Sequence, residues 1–516
     1  MEIAPVHSRS TEPRVTSILW LSLSFLFTVT VGALAAPAEP GQKDIVEAAK
    51  QRDTAAVRSL LKQRVDVNAA GVDGATPLHW AAYHGDLDVV NLLIAAGAHV
   101  DRANALSITP LALASENGHP AIVERLLARG ANPNAASESG VTPLMRAART
   151  GNVAIVRALL PRKADVNAAE TERQQTALMW AAAQRHPDVV KVLLENGADV
   201  KARTVKRRLT VMLDQGPPGV KTAREHAHTI EAGGSTALLF AATSGDVESA
   251  RLLLDRGADV NDTAADGNSA LVLSAFQGHG AVARLLLDRG ADPNTAGAGY
   301  SALHAAVLRG DAETVKALLS KGANPDAPLT RGSPVRRFGS QWALPNNLAG
   351  ATPLFFATLY LELDLMRVLL AAGASPSLPL ANGTSPVFVA AGADVPHEAR
   401  PSDVARLGIN DSDVPEIPRP EPELLMATRL LLDAGAKVTE TNAAGDTPLH
   451  AAAAAAQTSV IQLLVERGAA IDAANTSGQT PLALTMPREG RQRQDPERAA
   501  RAKAAETLLR TLGATR

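Results

Sequence analysis

Between Asp73 and Ala98 the apolar positions follow two helical periods in succession, and then the pattern starts again. Leu78, Ala81, Ala82 and Gly85 recur at the spacing of one helix face, and Val89, Val90, Leu92 and Leu93 at the spacing of a second. Two short helices placed back to back are predicted. Thr76 can cap the first through its hydroxyl, and Pro77 at the first helical position loses no hydrogen bond there. Gly74 permits a turn that a Cβ would strain, Gly85 ends the first helix, and Gly97 ends the second as a left-handed cap. The small Ala pair lets another helix approach closely. One such pair cannot bury its own apolar face, so pairs must stack.

The Thr-Pro-Leu-His opening recurs with a period near 33 residues. Close copies are Thr142-Pro143-Leu144, Thr352-Pro353-Leu354, Thr447-Pro448-Leu449-His450 and Thr480-Pro481-Leu482. Looser ones begin at Thr109, Thr176, Thr236, Ser269, Ser301 and Ser385. The end of the second helix recurs as well, in Gly130-Ala131-Asn132-Pro133-Asn134, Gly257-Ala258-Asp259-Val260-Asn261 and Gly290-Ala291-Asp292-Pro293-Asn294. Two linked motifs repeated along the chain resemble the ankyrin repeat. The resemblance implies an all-α ankyrin-repeat solenoid of helix-turn-helix units with β-hairpin finger loops, about twelve units including caps. It also implies a protein partner, bound through the finger tips and the exposed face of the first helices.

In chain order, residues 36–43 form a short linker and 44–71 a helix pair without the Thr-Pro-Leu-His opening, as expected of an N-terminal capping repeat. Repeats occupy 72–200. A basic insertion at 201–233, in the finger position, separates them from repeats at 234–328. A second finger insertion spans 329–349 and carries Arg331, Arg336, Arg337 and Trp342. Repeats resume over 350–477, where an acidic, Pro-rich insertion at 394–423 splits one unit between its helices, Ser385 to Ala391 and Leu424 to Ala434. Residues 478–516 make a C-terminal capping repeat ending in a helix from Ala499 to Leu512. No length remains for a separate catalytic domain.

Composition adds limits. The formal net charge of -2 argues against a broad nucleic-acid footprint. Aromatics at 3% suit an Ala/Leu-packed helical array. With no cysteine, disulfides, thiolate zinc sites and cysteine nucleophiles are excluded. Arg9 and Arg14 precede an apolar run from Ile18 to Val31, followed by Ala33-Leu34-Ala35. This pattern predicts a secretory signal peptide over 1–35, cut after Ala35, with an uncleaved anchor as the alternative. A periplasmic or secreted protein follows, with no membrane span after cleavage, and a monomer is expected. Arg in excess of Lys and abundant Ala are compatible with a GC-rich bacterial genome.

A helical wheel points the fourth, seventh and eighth residues after each capping Thr or Ser away from the Leu/Ala face. Those positions hold Trp80, Tyr83 and His84, then Leu113, Glu116 and Asn117, then Arg146 and Arg149, then Trp180, and further on Phe240, Phe276, Arg309, Phe356 and Tyr360. Tyr300 and Trp342 fall in fingers. Aromatic and Arg side chains are the usual anchors of protein interfaces, so Trp80, Tyr83, His84, Arg146, Arg149, Trp180, Phe276, Tyr300, Arg309, Trp342 and Tyr360 are the candidate partner-binding residues. The bland reading of Trp80 and Trp180 is that a large fourth residue seals neighbouring units. His79, His304 and His450 belong to the repeated opening and are expected to hydrogen-bond structurally, whereas His84 and His119 are expected as surface residues at turns.

Other chemistry is thin. Gly216-Pro217-Pro218-Gly219-Val220-Lys221-Thr222 lacks the Gly that a phosphate loop requires before its Lys. Glu225-His226-Ala227-His228 offers two imidazoles, with no further ligands at suitable spacing. His397-Glu398 lacks the second His of a helical zinc-protease motif, and no nucleophile elbow is found. No cofactor and no catalytic activity are expected. The function expected is a non-catalytic protein-interaction scaffold. The alternatives are metal or small-ligand binding by the 201–233 insertion, and a secreted effector acting on host proteins.

Overall fold

The computed structural model describes residues 44–212, 227–332, 348–395, 419–485 and 496–515. Every Thr-Pro-Leu or Ser-Ala-Leu opening starts a helix, and the described residues form twelve helix pairs. The pair at Pro77–His84 and Leu87–Ala95 shows how the sequence does this. Thr76 is extended (φ -89°, ψ 168°), and Pro77 takes the first helical position. Gly85 closes the helix in the left-handed region at φ 79°. Asp86 then accepts the Val89 amide at 3.0 Å and starts the second helix. Asn152, Asp246 and Asp311 cap second helices in the same way.

Leu78, Ala82, Val90 and Leu93 are wholly buried. First helices stack on first helices and second helices on second, giving one continuous apolar core from Ile45 to Ala514. The helical-repeat solenoid that the resemblance implies is the fold that forms.

His79 joins one unit to the next. Its Nδ1 accepts the Thr76 amide at 3.1 Å and lies 2.8 Å from the Thr76 hydroxyl. An Nδ1 that accepts a backbone amide leaves the ring proton on Nε2, which donates to the Ile108 carbonyl of the following loop at 3.0 Å. His304 does the same between Ser301 and the Ala351 carbonyl, and His450 between Thr447 and the Gln479 carbonyl. The His304 bond spans the finger insertion, so the stack continues across it.

On the finger side a second ladder runs through asparagines. Asn134 donates to the Lys163 carbonyl and accepts the Asp165 amide, and Asn167 and Asn294 each make the same bridge to the unit that follows them.

The basic insertion forms an antiparallel hairpin of Arg207–Met212 with Ala227–Ala232, Arg207 facing Ala232 and Met212 facing Ala227. Two helix starts differ from expectation. The second helix of the split unit begins at Glu421, not Leu424, because Pro422 fits the first turn and two glutamates favour a helix N-terminus. The last helix begins at Pro496, not Ala499, with Pro again at its start. No helix among the described residues is long and apolar enough to cross a membrane. Residues 1–43, with the expected signal segment, lie outside the described residues.

Burial sets a pH dependence. Desolvation holds the His304 imidazole down at about 4 and lowers that of His79. An unfolded histidine takes its proton near 6.5, so between these values the unfolded chain binds more protons. Stability is full above pH 6.5 and is lost as pH falls toward 4, by up to about 3 kcal/mol at His304. The urea midpoint, measured from about pH 7 to about pH 4.5, is expected to fall with pH. His304→Gln is expected to lower stability at neutral pH by about 1–3 kcal/mol and to flatten that profile; an unchanged slope would contradict the assignment.

Candidate partner-binding surface

Trp80 stands half-buried on the first helix of its unit, with Tyr83 and His84 one turn on and Tyr83 45% exposed. Tyr83 meets Trp80 edge to face at 6.1 Å, and His84 lies 6.0 Å from Trp80 in a stacked orientation. The Lys50 ammonium sits 5.4 Å above the Trp80 ring, within cation–π range.

Three units further along the relation recurs, with the Arg149 guanidinium 5.4 Å from the Trp180 ring centre. The Trp180 indole also donates to the Gln175 side chain at 3.1 Å. Between the two Trp, Glu116 receives both Arg146 and Arg149.

The backbone beneath this surface is pinned. His84 Nε2 donates to the Lys50 carbonyl at 3.0 Å. His119 Nε2 donates to the Tyr83 carbonyl, His186 to that of Arg149 and His279 to that of Thr243, each at 3.1 Å. A carbonyl can only accept, which fixes the ring proton on Nε2 in each case. Burial lowers the pKa of His279. Arg309 makes the equivalent bond to the Phe276 carbonyl at 2.8 Å, and desolvation lowers its pKa. His84 and His119 are therefore bridging groups between units, not only turn residues. The signal in the sequence was a His directly before three second helices, at 119, 186 and 279.

Several expected surface residues are placed differently. Tyr300 is 4% exposed; its hydroxyl donates to Asn268 Oδ1 at 3.0 Å, its ring lies 5.9 Å from Phe276, and burial pushes its phenol pKa up. It directly precedes the capping Ser301, where Ala75, Asn268, Ala351 and Thr384 are buried too, so that position faces the neighbouring loop.

Phe356 is fully buried, edge-on to the His304 ring at 6.0 Å. Arg146 is 9% exposed and committed to Glu116, and Arg309 is a half-buried bridge. Phe276 and Tyr360 are half-buried, and Trp342 lies outside the described residues.

Sequence reasoning missed Val72 and Leu106, exposed at neighbouring finger tips joined by the Ala105 amide to the Asp73 carbonyl at 2.9 Å. A pocket of about 370 Å³ beside Tyr360 is bordered by Arg367, Met426 and Arg419. Arg419 is itself used on the carbonyls of Val389 and Ala393, and burial draws its pKa down to about 10.

No group of metal-ligating side chains occurs among the described residues. His226 and the Gly216–Thr222 stretch lie outside them.

A model of ankyrin repeats in three copies matches residues 111–204, 219–297, 238–328 and 423–486, more than half of the chain. A second ankyrin-repeat model matches 45–94 and 78–127. The crystal structure of the human ASB11 ankyrin repeat domain is 28% identical, covering 49% of this chain and 100% of that one, with a TM-score of 0.40. No curated protein matches.

The burial difference is measurable. Tyr300→Ala is expected to destabilise the chain by about 3–5 kcal/mol in chemical denaturation, as for a buried aromatic. Tyr83→Ala is expected to change stability by no more than about 0.5 kcal/mol. Equal losses at the two sites would refute this division.

Proposed function

Because the chain belongs to the ankyrin repeat family, we propose that it is a non-catalytic scaffold that binds a protein through the first-helix surface from Lys50 to Trp180. Ankyrin repeats are generally protein–protein interaction modules. The observation that carries the choice of face is the pair of half-buried indoles, each under a cation of its own chain, with the exposed Tyr83 beside the first.

Tyr, Trp and Arg anchor interfaces because they bring large contact area together with directed polar groups. Here their backbone is held by the His bridges, so little ordering is left to oppose binding. The exposed Val72 and Leu106 extend the same surface onto the finger tips.

Export is part of the proposal: the basic, apolar and small-residue succession at the N-terminus supports a protein of the periplasm or the medium. A partner from the cell envelope would make it a periplasmic scaffold, and one from a host would make it a secreted effector.

Affinity capture from the cell envelope, with the chain from Ala36 as bait, tests the face. Wild type is expected to retain a protein that Tyr83→Ala/Arg149→Ala binds at least about tenfold more weakly, with the thermal midpoint unchanged. Equal capture by the two baits rejects this face. For export, N-terminal sequencing of protein recovered by osmotic shock is expected to begin at Ala36, and an intact Met1 there contradicts cleavage.

A further inference from the structure

The hairpin between the fifth and sixth units is a separate feature with its own chemistry. Its base is tied into the finger ladder. The Val205 amide donates to the Arg173 carbonyl at 2.9 Å, the Gly234 amide to the Thr204 carbonyl at 3.1 Å, and the Ala265 amide to the Gly233 carbonyl at 2.9 Å. Beyond that base, Arg207–Met212 pairs with Ala227–Ala232 only, and among the described residues no further backbone group meets its outer edge. Every side chain from Val205 to Thr210 is exposed. An isolated two-stranded hairpin is marginal in water, and an open edge is a ready template for a third strand.

Charge decides what that strand can be. Residues 201–233 carry seven Lys and Arg against three Asp and Glu. Lys206, Arg207 and Arg208 stand in a row at the start of the first strand, while its partner strand carries Glu231. The acids near the arginines are loose: Glu172 lies 3.8 Å from Arg207, and Glu231 3.9 Å from Arg208, in exposed pairs that contribute little. A second copy of this strand would add only positive charge at the edge, whereas an acidic strand complements it.

Leu209, 37% exposed, alternates with Arg208 and Thr210, so the edge offers apolar contact on the face it shares with Arg207 and charge on both faces. We propose that the outer edge of Arg207–Met212 takes an extended acidic segment of a partner protein as a third strand. Carboxylates of that segment lie against Arg207 and Arg208 and an apolar side chain against Leu209. This site is independent of the first-helix surface.

The test uses the full chain and a short synthetic peptide alternating glutamate with valine and threonine, read by fluorescence anisotropy and by amide hydrogen exchange. The peptide is expected to bind and to slow exchange within 207–212. Arg207→Glu/Arg208→Glu is expected to weaken it at least about tenfold, and a lysine-for-glutamate peptide is expected to recover binding to that variant. A peptide N-methylated at alternate residues, which cannot complete a strand, is expected to fail.

Equal binding by the N-methylated peptide, or polyphosphate binding the site better than the peptide without protecting 207–212, would overturn strand addition in favour of simple polyanion attraction. Loss of peptide binding in Tyr83→Ala/Arg149→Ala would refute the independence of the two sites. Arg208→Glu faces Glu231 across the ladder, so unchanged amide exchange at 227–232 in the peptide-free variant verifies that the hairpin is intact, and an unchanged thermal midpoint that the helical stack is.

Discussion

The apolar face of a helix pair too short to cover itself is the constraint on which everything else depends. Each first helix is about two turns long and buries its Leu and Ala against its own second helix and the first helices on either side. The polar groups at the helix starts then have to be satisfied across the same boundary, and His79, His304 and His450 do this. One ring closes its own cap and reaches the carbonyl of the next loop. Packing and hydrogen bonding therefore point along one axis. Insertions are tolerated where they leave that axis uncut, as at 329–349, which His304 spans by bonding to Ala351.

The fold was legible because its signals are local and repeated. A capping Thr or Ser, a Pro or Ala at the first helical position and a Gly at the turn each act within a few residues, and the period multiplies the signal. The site was legible only in part. A helical wheel states where a side chain points from its own helix and nothing about what the neighbouring unit presents. Trp80, Tyr83 and Trp180 face outward as the wheel requires, yet Phe356, at the same phase as the two Trp, is sealed against His304. Tyr300 was hidden for a related reason: a position just before a cap reads as loop in one unit and is core between two.

The bridges also change the meaning of the charged residues. Arg146 and Arg309 looked like free anchors in sequence. In the structure one is committed to Glu116 and the other to the Phe276 carbonyl. Arg149 shares Glu116 but keeps a 44% exposed side chain over Trp180. Of the three arginines it is the most exposed, and it also lies over an aromatic ring.

Aromatic residues are scarce here, at 3% of the chain, and their distribution bears on function. Phe355, Phe356, Phe388 and Tyr300 are buried in the core, and burying Trp80 and Trp180 as fully would have contributed more to stability than leaving them half-exposed. Instead each ring has one face covered by a cation of its own chain and a margin left in water. Each ring thus packs against the core with part of its surface and meets a cation with another, which stabilises the free protein modestly. That combination suits a surface held ready for contact. The scaffold is shared by the family and names no partner, and the half-exposed rings and cations between Lys50 and Trp180 are the part of the first-helix surface on which the proposed function rests.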